Sequence, residues 1–163
     1  MSIDPRTFRD AMGRFATGIA LVSTISRAGE PLGLTINSFS SVSLDPPLVL
    51  FSLARTASRF EDFIAAGRFA VNVLCTAHRA VSQKFARHGE GLWGELPRES
   101  WTTGCPILPG ALASFDCTTE ARYEGGDHVI MLGRVQQVCF AADGEPLLYF
   151  CSAYRAVSGP LSG

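Results

Sequence analysis

Gly33-Leu34-Thr35-Ile36-Asn37-Ser38-Phe39-Ser40-Ser41-Val42-Ser43-Leu44-Asp45-Pro46-Pro47 lines short hydroxyl and amide side chains along a strand and its exit turn. Such side chains fill a core poorly. They suit hydrogen bonding to a flat polar ligand that lies against a sheet, and their small size lets backbone N–H groups come close to it. A plain Ser/Thr-rich edge strand ending in a Pro-Pro turn is the other reading that this chemistry leaves open. Asp45-Pro46-Pro47 reads as structural, with Asp45 starting the turn and the prolines leaving it.

Upstream, Asp4-Pro5 predicts a helix with Asp4 as N-cap and Pro5 in the first turn. Phe8, Met12 and Phe15 recur at i, i+4 and i+7 on one face, and Gly18 reads as the stop. Residues 19–26 are β-rich, 27–31 form a turn, and strands follow over 32–38 and 48–53. Ser58-Arg59-Phe60-Glu61 has the form of a capping box opening a second helix that stops at Gly67. A strand over 68–74 leads to a third helix over 76–87, with Val81 and Phe85 on one face. A Gly-, Pro- and Trp-rich loop covers 88–109. Two long strands are expected near 113–123 and 128–140, then a turn at 142–145, a last strand over 147–150, and a loose tail from about 157 to 163. Strands without regular βαβ alternation argue for a mainly β fold with a few helices, closed as an antiparallel barrel.

The bulk properties agree with one domain over 1–163. The chain is 47% hydrophobic, enough for a full core, and 14 basic against 15 acidic residues give a net charge of -1. That balance argues against nucleic acid or an anionic membrane as partner. No apolar run has the length of a membrane span, and the first residues lack a signal-peptide core, so a cytoplasmic protein is expected. The five cysteines include no Cys-x-x-Cys pair. Cys75, Cys139 and Cys151 stand among apolar neighbours, and buried reduced thiols are expected rather than disulfides or a zinc site. His78 and His88 read as surface residues.

Gly89-Glu90-Gly91-Leu92-Trp93-Gly94 formally matches G-x-G-x-x-G. A dinucleotide fingerprint follows a strand and opens a helix, so that pyrophosphate meets free N–H groups. This one follows a helix and runs into Glu95-Leu96-Pro97, which fits a loop bordering a site better. Ala54-Arg55-Thr56-Ala57-Ser58-Arg59 joins a strand end to a helix start. Free N–H groups, the helix dipole, Arg55 and Arg59 and the hydroxyls of Thr56 and Ser58 suit a phosphate; a capping serine beside two solvated arginines is the alternative.

Gly-Leu-Thr-x-Asn-Ser-x-Ser-Ser-Val-Ser-Leu-Asp-Pro-Pro-Leu, followed by Gly125-Gly126-Asp127-His128-Val129-Ile130 and Gly133-Arg134-Val135, resembles the flavin reductase-like family, whose fold is the FMN-binding split barrel, an antiparallel Greek-key barrel. The resemblance runs from Phe8 to Arg155. It implies that Thr35, Asn37 and Ser38 contact the flavin ring and ribityl chain, with Ser41, Val42 and Ser43 adding contacts partly from backbone. It places the flavin phosphate near Arg55–Arg59. Ser82-Gln83-Lys84-Phe85-Ala86 matches the family's Ser-x-x-Phe-Ala stretch and adds Lys84 and Phe85 to the cofactor set, a surface lysine being the alternative for Lys84. It implies that His128 faces the flavin and the nicotinamide, oriented by Asp127 or merely preceded by it; a structural histidine at a strand start is the alternative. Tyr149, Tyr154 and Arg155 match the family's last motif, but Cys151-Ser152-Ala153 stands where it usually has Arg-Gly, so Tyr154 and Arg155 transfer less directly.

The activity so implied is NAD(P)H-dependent reduction of FMN, or FAD, with NADH or NADPH as hydride donor. Such enzymes are often the small component of a two-component flavin monooxygenase, and usually homodimers. The chemistry requires neither a protein nucleophile nor a metal. A corrinoid reductase of the same fold, a non-catalytic flavin-binding module and a structural barrel are the alternatives.

Overall fold

A computed structural model describes residues 3–87 and 92–159. The G-x-G residues Gly89, Glu90 and Gly91, together with His88 and the tail from Pro160, lie outside the described residues. The first helix, α1 (Pro5–Met12), begins as the sequence predicts, with Asp4 accepting from the Thr7 N–H at 2.8 Å and Pro5 in the first turn. It stops earlier, at Gly13, because the backbone at Thr17–Gly18 (β1) is taken by pairing with Tyr149 and Leu148. There follow β2 (Ala20–Ile25), β3 (Pro31–Ile36), β4 (Ser40–Leu44), β5 (Pro47–Ala54), α2 (Phe60–Ala65), β6 (Arg68–Val73) and α3 (Arg79–Arg87). The short pair β7 (Glu99–Ser100) and β8 (Pro106–Ile107) comes next. Then come the long hairpin β9 (Ala113–Gly125) and β10 (His128–Phe140), and the final hairpin β11 (Leu148–Phe150) and β12 (Ala153–Arg155).

The main sheet has seven strands in the order β3-β2-β6-β9-β10-β5-β4, antiparallel throughout. Its two edge strands, β3 and β4, are neighbours in sequence, joined only by Asn37, Ser38 and Phe39. From Ile36 to Ser40 the chain reaches at most about 14 Å. Six gaps of about 4.8 Å would hold the edges of a flat sheet about 29 Å apart. The sheet therefore has to curl until its edges approach, and a barrel split between β3 and β4 results. The seam of that barrel is the hydroxyl-rich stretch.

Alternating residues bury both faces of the central strands. Ala20, Val22, Phe51, Phe69, Val71 and Met131 fill the barrel, while Ile19 and Leu21 join Leu74, Phe85, Trp93 and Leu147 beneath α3. The buried thiols are Cys105 and Cys117; burial pushes the Cys117 thiol up to about 12, with the Asp116 charge adding to it. Cys139 and Cys151 are exposed instead, because one ends β10 where the strand runs beyond the core and the other sits in the β11–β12 turn. His78 is half-buried and in contact with Cys75 Sγ (3.3 Å), and desolvation holds its pKa below the ordinary value.

One buried polar side chain secures the loop ahead of β9. Asn72 donates to the Leu21 carbonyl (3.2 Å) and accepts from the Leu108 N–H (2.9 Å) and the Ser114 hydroxyl (3.0 Å). Asn72→Ala strands a buried amide and a buried hydroxyl, so it should cost about 3 kcal/mol, at 1–3 kcal/mol for each unsatisfied group. Urea unfolding measures this; a loss below about 1 kcal/mol would mean that water replaces the side chain.

Candidate active site

The seam binds part of its own hydroxyl set. Thr35 Oγ1 donates to the Ser82 carbonyl on α3 (2.8 Å). Ser38 Oγ accepts from the Ser52 N–H (3.0 Å) and donates to the Ser52 carbonyl (3.2 Å), which fastens the β3–β4 link to β5. Asn37, between them, is exposed. It lines a cavity of about 570 Å³ with Arg9, Phe15, Thr17 and Tyr149, and a smaller one of about 200 Å³ with Thr35, Ala86, Tyr149 and Tyr154. Ser41 and Val42 are exposed on edge strand β4, Ser43 is half-buried, and the pairing with β5 shifts between Ser41 and Ser43. Such a shift leaves backbone groups unpaired at the edge, which suits contacts made partly by main chain.

Two constellations far apart in sequence meet at the end of β5. The β5–β10 register sets His128 opposite Ala54. The Arg55 N–H then donates to the Asp127 carbonyl (2.9 Å), Arg55 Nε donates to the Gly126 carbonyl (3.1 Å), and its guanidinium pairs with Glu124. His128 Nδ1 lies 2.7 Å from Asp127 Oδ1. A carboxylate only accepts, so Nδ1 carries the proton and Nε2 of the neutral ring keeps its lone pair. The hydrogen bond from His128, and then its charge, hold the Asp127 carboxyl below the usual carboxylate range.

The start of α2 departs from the expected capping box. Arg59, not Ser58, is the N-cap; it adopts a left-handed conformation (φ 62°) and makes no side-chain cap bond. Its guanidinium instead bonds Asp62 (2.6 Å) and pairs with Glu30 (3.5 Å), which holds the turn in that conformation. Thr56 and Ser58 remain exposed. Both arginines of the expected phosphate site thus have carboxylate partners. Such pairs at the surface contribute little, and a phosphate competes with them readily.

On the α3 side Lys84 is exposed and paired with Glu95 (3.3 Å). Phe85 is a correction to the sequence reading: at 1% exposure it offers no face to a ligand and packs between Gly33 and Trp93. Tyr154 borders the smaller cavity, edge-on to Tyr149 with ring centroids 5.9 Å apart, and Arg155 is exposed at the end of β12. The structure therefore brings Asn37, Thr35 and Tyr154 together at the seam and Arg55 and His128 together at the end of β5, with Ser38 bonded to Ser52 on β5 between them and with Thr56 and Ser58 following Arg55 in the turn. Ser82, Arg79 and Glu124 belong to these clusters without having been singled out. For Ser82 the only signal was its place in Ser-x-x-Phe-Ala.

The donor set fits a flavin. It combines an exposed amide, aromatic walls, hydroxyls and a group of cations one strand away. Thr17 Oγ1, buried and without a hydrogen-bond partner among the described residues, adds an unused polar atom to the larger cavity. An antiparallel barrel open along such a seam is a split barrel whose cleft suits a flat polar ligand.

The chain belongs to the flavin reductase-like family: residues 12–158 match the model of the flavin reductase like domain. FMN reductase (NADH) SmoA of Agrobacterium fabrum is 42% identical over 153 residues, which cover 94% of this chain and 86% of that protein. A probable flavin reductase of Rhizobium meliloti is 47% identical over 132 residues, 81% of this chain; the match spans only 42% of that protein. Among solved structures, the styrene monooxygenase flavin reductase of Pseudomonas putida superposes with a TM-score of 0.80 at 35% identity, covering 94% of this chain and 99% of that one.

Proposed function

We propose that this protein is an NAD(P)H-dependent flavin reductase that reduces FMN, or FAD, and supplies the reduced flavin to a partner flavin-dependent monooxygenase or another acceptor. The observation that carries the reading is the chain of contacts by which Ser38 fastens the hydroxyl-rich seam to Ser52 on β5, two residues before the strand end where Arg55 and the Asp127-His128 turn meet, in a chain of the flavin reductase-like family. The bound flavin supplies the redox chemistry, accepting hydride from reduced nicotinamide. The chain's own residues hold and orient. Asn37 offers its amide to the polar edge of the ring, the edge of β4 at Ser41–Ser43 gives main-chain contacts, and Tyr154 forms a wall. Arg55, Thr56, Ser58 and Arg59 meet the phosphate, Lys84 adds a cation from α3, and His128 stands beside the reacting rings. Fixing two rings against each other removes much of the entropic part of the barrier.

A homodimer completes the proposal. Phe8 and Met12 on α1, and Phe15 just beyond it, are all more than half exposed among the described residues, and Val42 and Leu44 are exposed on the sheet edge. Among the described residues no helix is long and apolar enough to cross a membrane, and we place the protein in the cytoplasm, where reduced nicotinamide is supplied.

The deciding experiment is nicotinamide oxidation by the purified protein with and without added flavin. Oxidation that requires flavin supports the reading; no oxidation with FMN or FAD overturns it. The phosphate assignment has its own test. Replacing Arg55 and Arg59 together by Ala should weaken FMN binding about tenfold and riboflavin binding hardly at all, since only FMN carries the charge-assisted contacts. Equal losses for the two ligands in a titration would remove the arginines from the phosphate site.

A further inference from the structure

Ser82 opens the Ser-Gln-Lys-Phe-Ala stretch of α3; it is fully buried at 0% exposure and cannot meet a ligand itself. It is instead joined to two residues that can. Its hydroxyl is 3.0 Å from the Tyr154 hydroxyl on β12, and its carbonyl accepts from Thr35 Oγ1 on β3 at 2.8 Å. Thr35 and Tyr154 line the same cavity beside Asn37. One helical residue thus ties together two walls that come from opposite ends of the chain.

The need for such a tie follows from how Tyr154 arrives. The β11–β12 hairpin turns at Cys151 and Ser152, both with positive φ (48° and 58°), the pattern of a tight two-residue turn. It brings Tyr154 back opposite Tyr149, and the Cys151 N–H bonds the Gly13 carbonyl at the end of α1. The hairpin has only three residues in each strand and pairs on its other side with the two residues of β1. A ladder this short fixes a ring poorly by itself. Arg79 over one side of the Tyr154 ring (5.7 Å to the centroid) and Tyr149 edge-on limit its tilt. Among the described residues, the Ser82 hydroxyl is the hydrogen-bond partner that fixes how far the phenol reaches.

We propose that Ser82 is a positioning residue of the flavin site: its hydroxyl sets the Tyr154 ring, its carbonyl sets Thr35, and the two together set the width of the cavity in which the ring is bound. The inference rests on the flavin reductase reading. It gives the buried serine of Ser-x-x-Phe-Ala an indirect role, exerted through Tyr154 and Thr35.

The test is a double-mutant cycle read by flavin affinity, using the full chain and FMN as the probe. Ser82→Ala and Tyr154→Phe each remove one end of the hydroxyl pair and keep the helix and the ring. Each should raise the FMN dissociation constant about three- to tenfold, the value of one buried neutral hydrogen bond. The double variant should lose no more than the larger single loss, because the partners act as a unit. A purely structural serine would lower Tm without that coupling. Additive losses, or unchanged FMN affinity in folded Tyr154→Phe, would overturn the proposal, and the second result decides even where Ser82→Ala fails to fold. Wild-type protein that binds no flavin would overturn the flavin reductase reading, and this inference with it. Wild-type binding without coupling between Ser82 and Tyr154 would overturn this inference alone.

Discussion

Gly33→Ala is expected to lower stability by about 3 kcal/mol and to weaken flavin binding, although Gly33 itself touches no ligand. A Cβ at this position would come within 2.5 Å of Phe85 Cε1 and 3.0 Å of Trp93 Nε1. Neither ring has room to retreat. Both are 1% exposed, their centroids are 5.4 Å apart, and they fill the space between β3 and α3 with Leu21 and Leu74. Relief therefore requires α3 to move away from β3, and that movement pulls the Ser82 carbonyl from Thr35 Oγ1. Overpacking a rigid core costs about 1–3 kcal/mol, and this contact belongs at the upper end because both neighbours are aromatic rings held on all sides. Chemical denaturation gives the stability and an FMN titration the affinity. Wild-type stability in Gly33→Ala would show that β3 and α3 slide apart freely, contrary to the packing described here.

Gly33 also shows what a single sequence does and does not reveal. In the sequence it reads as part of a small-residue stretch that lets a ligand approach the backbone, whereas in the structure a phenyl ring occupies the approach. Thr35 and Ser38 follow the same pattern: their hydroxyls satisfy the protein's own carbonyls and amides. Residue type is legible locally, but its partner is set by which strand curls over it. Features that depend on neighbours a few residues away are legible in the sequence. The Asp4 cap and the hairpin of β9 and β10, with the start of β10 at His128, lie where capping, alternation and turn chemistry put them. Local sequence misleads where distant backbone intervenes. Gly18 could not stop α1 because β11 claims Thr17 and Gly18, and Ser58 could not cap α2 because Arg59 is held in a left-handed turn by Asp62 and Glu30. Cys139 and Cys151 have apolar sequence neighbours, but those neighbours are themselves exposed or half-exposed at the ends of the barrel. The fold class does not depend on these details, because the order of strands, rather than their limits, forces the barrel to close.

The proximity of Arg55 to His128 was the least legible feature, since it exists only through the β5–β10 register, and it supports the second large effect. His128→Ala should slow nicotinamide-dependent flavin reduction by up to about 10²-fold, the low end of what loss of a positioned acid or base costs. The low end follows from the chemistry, because hydride transfer to the flavin needs no proton from the protein. The imidazole acts by position and by charge beside the reacting rings. Its geometry is set by Asp127, whose carboxylate keeps the proton on Nδ1 and directs the Nε2 lone pair away from that contact. The barrel should remain folded in the variant. His128 contributes backbone pairing with Ala54 and Gly125, which alanine preserves, and its side chain is 43% exposed with no apolar core resting on it. Asp127→Asn should give a smaller loss, because an amide oxygen still accepts from Nδ1–H but brings no charge to stabilise a protonated ring. Anaerobic stopped-flow measurement of flavin bleaching separates hydride transfer from release of the reduced flavin. If the transfer rate and the nicotinamide affinity were both unchanged in His128→Ala, the histidine would be a strand-end residue only, and the convergence of Arg55 with the Gly126-Asp127 turn would serve the barrel rather than the reaction.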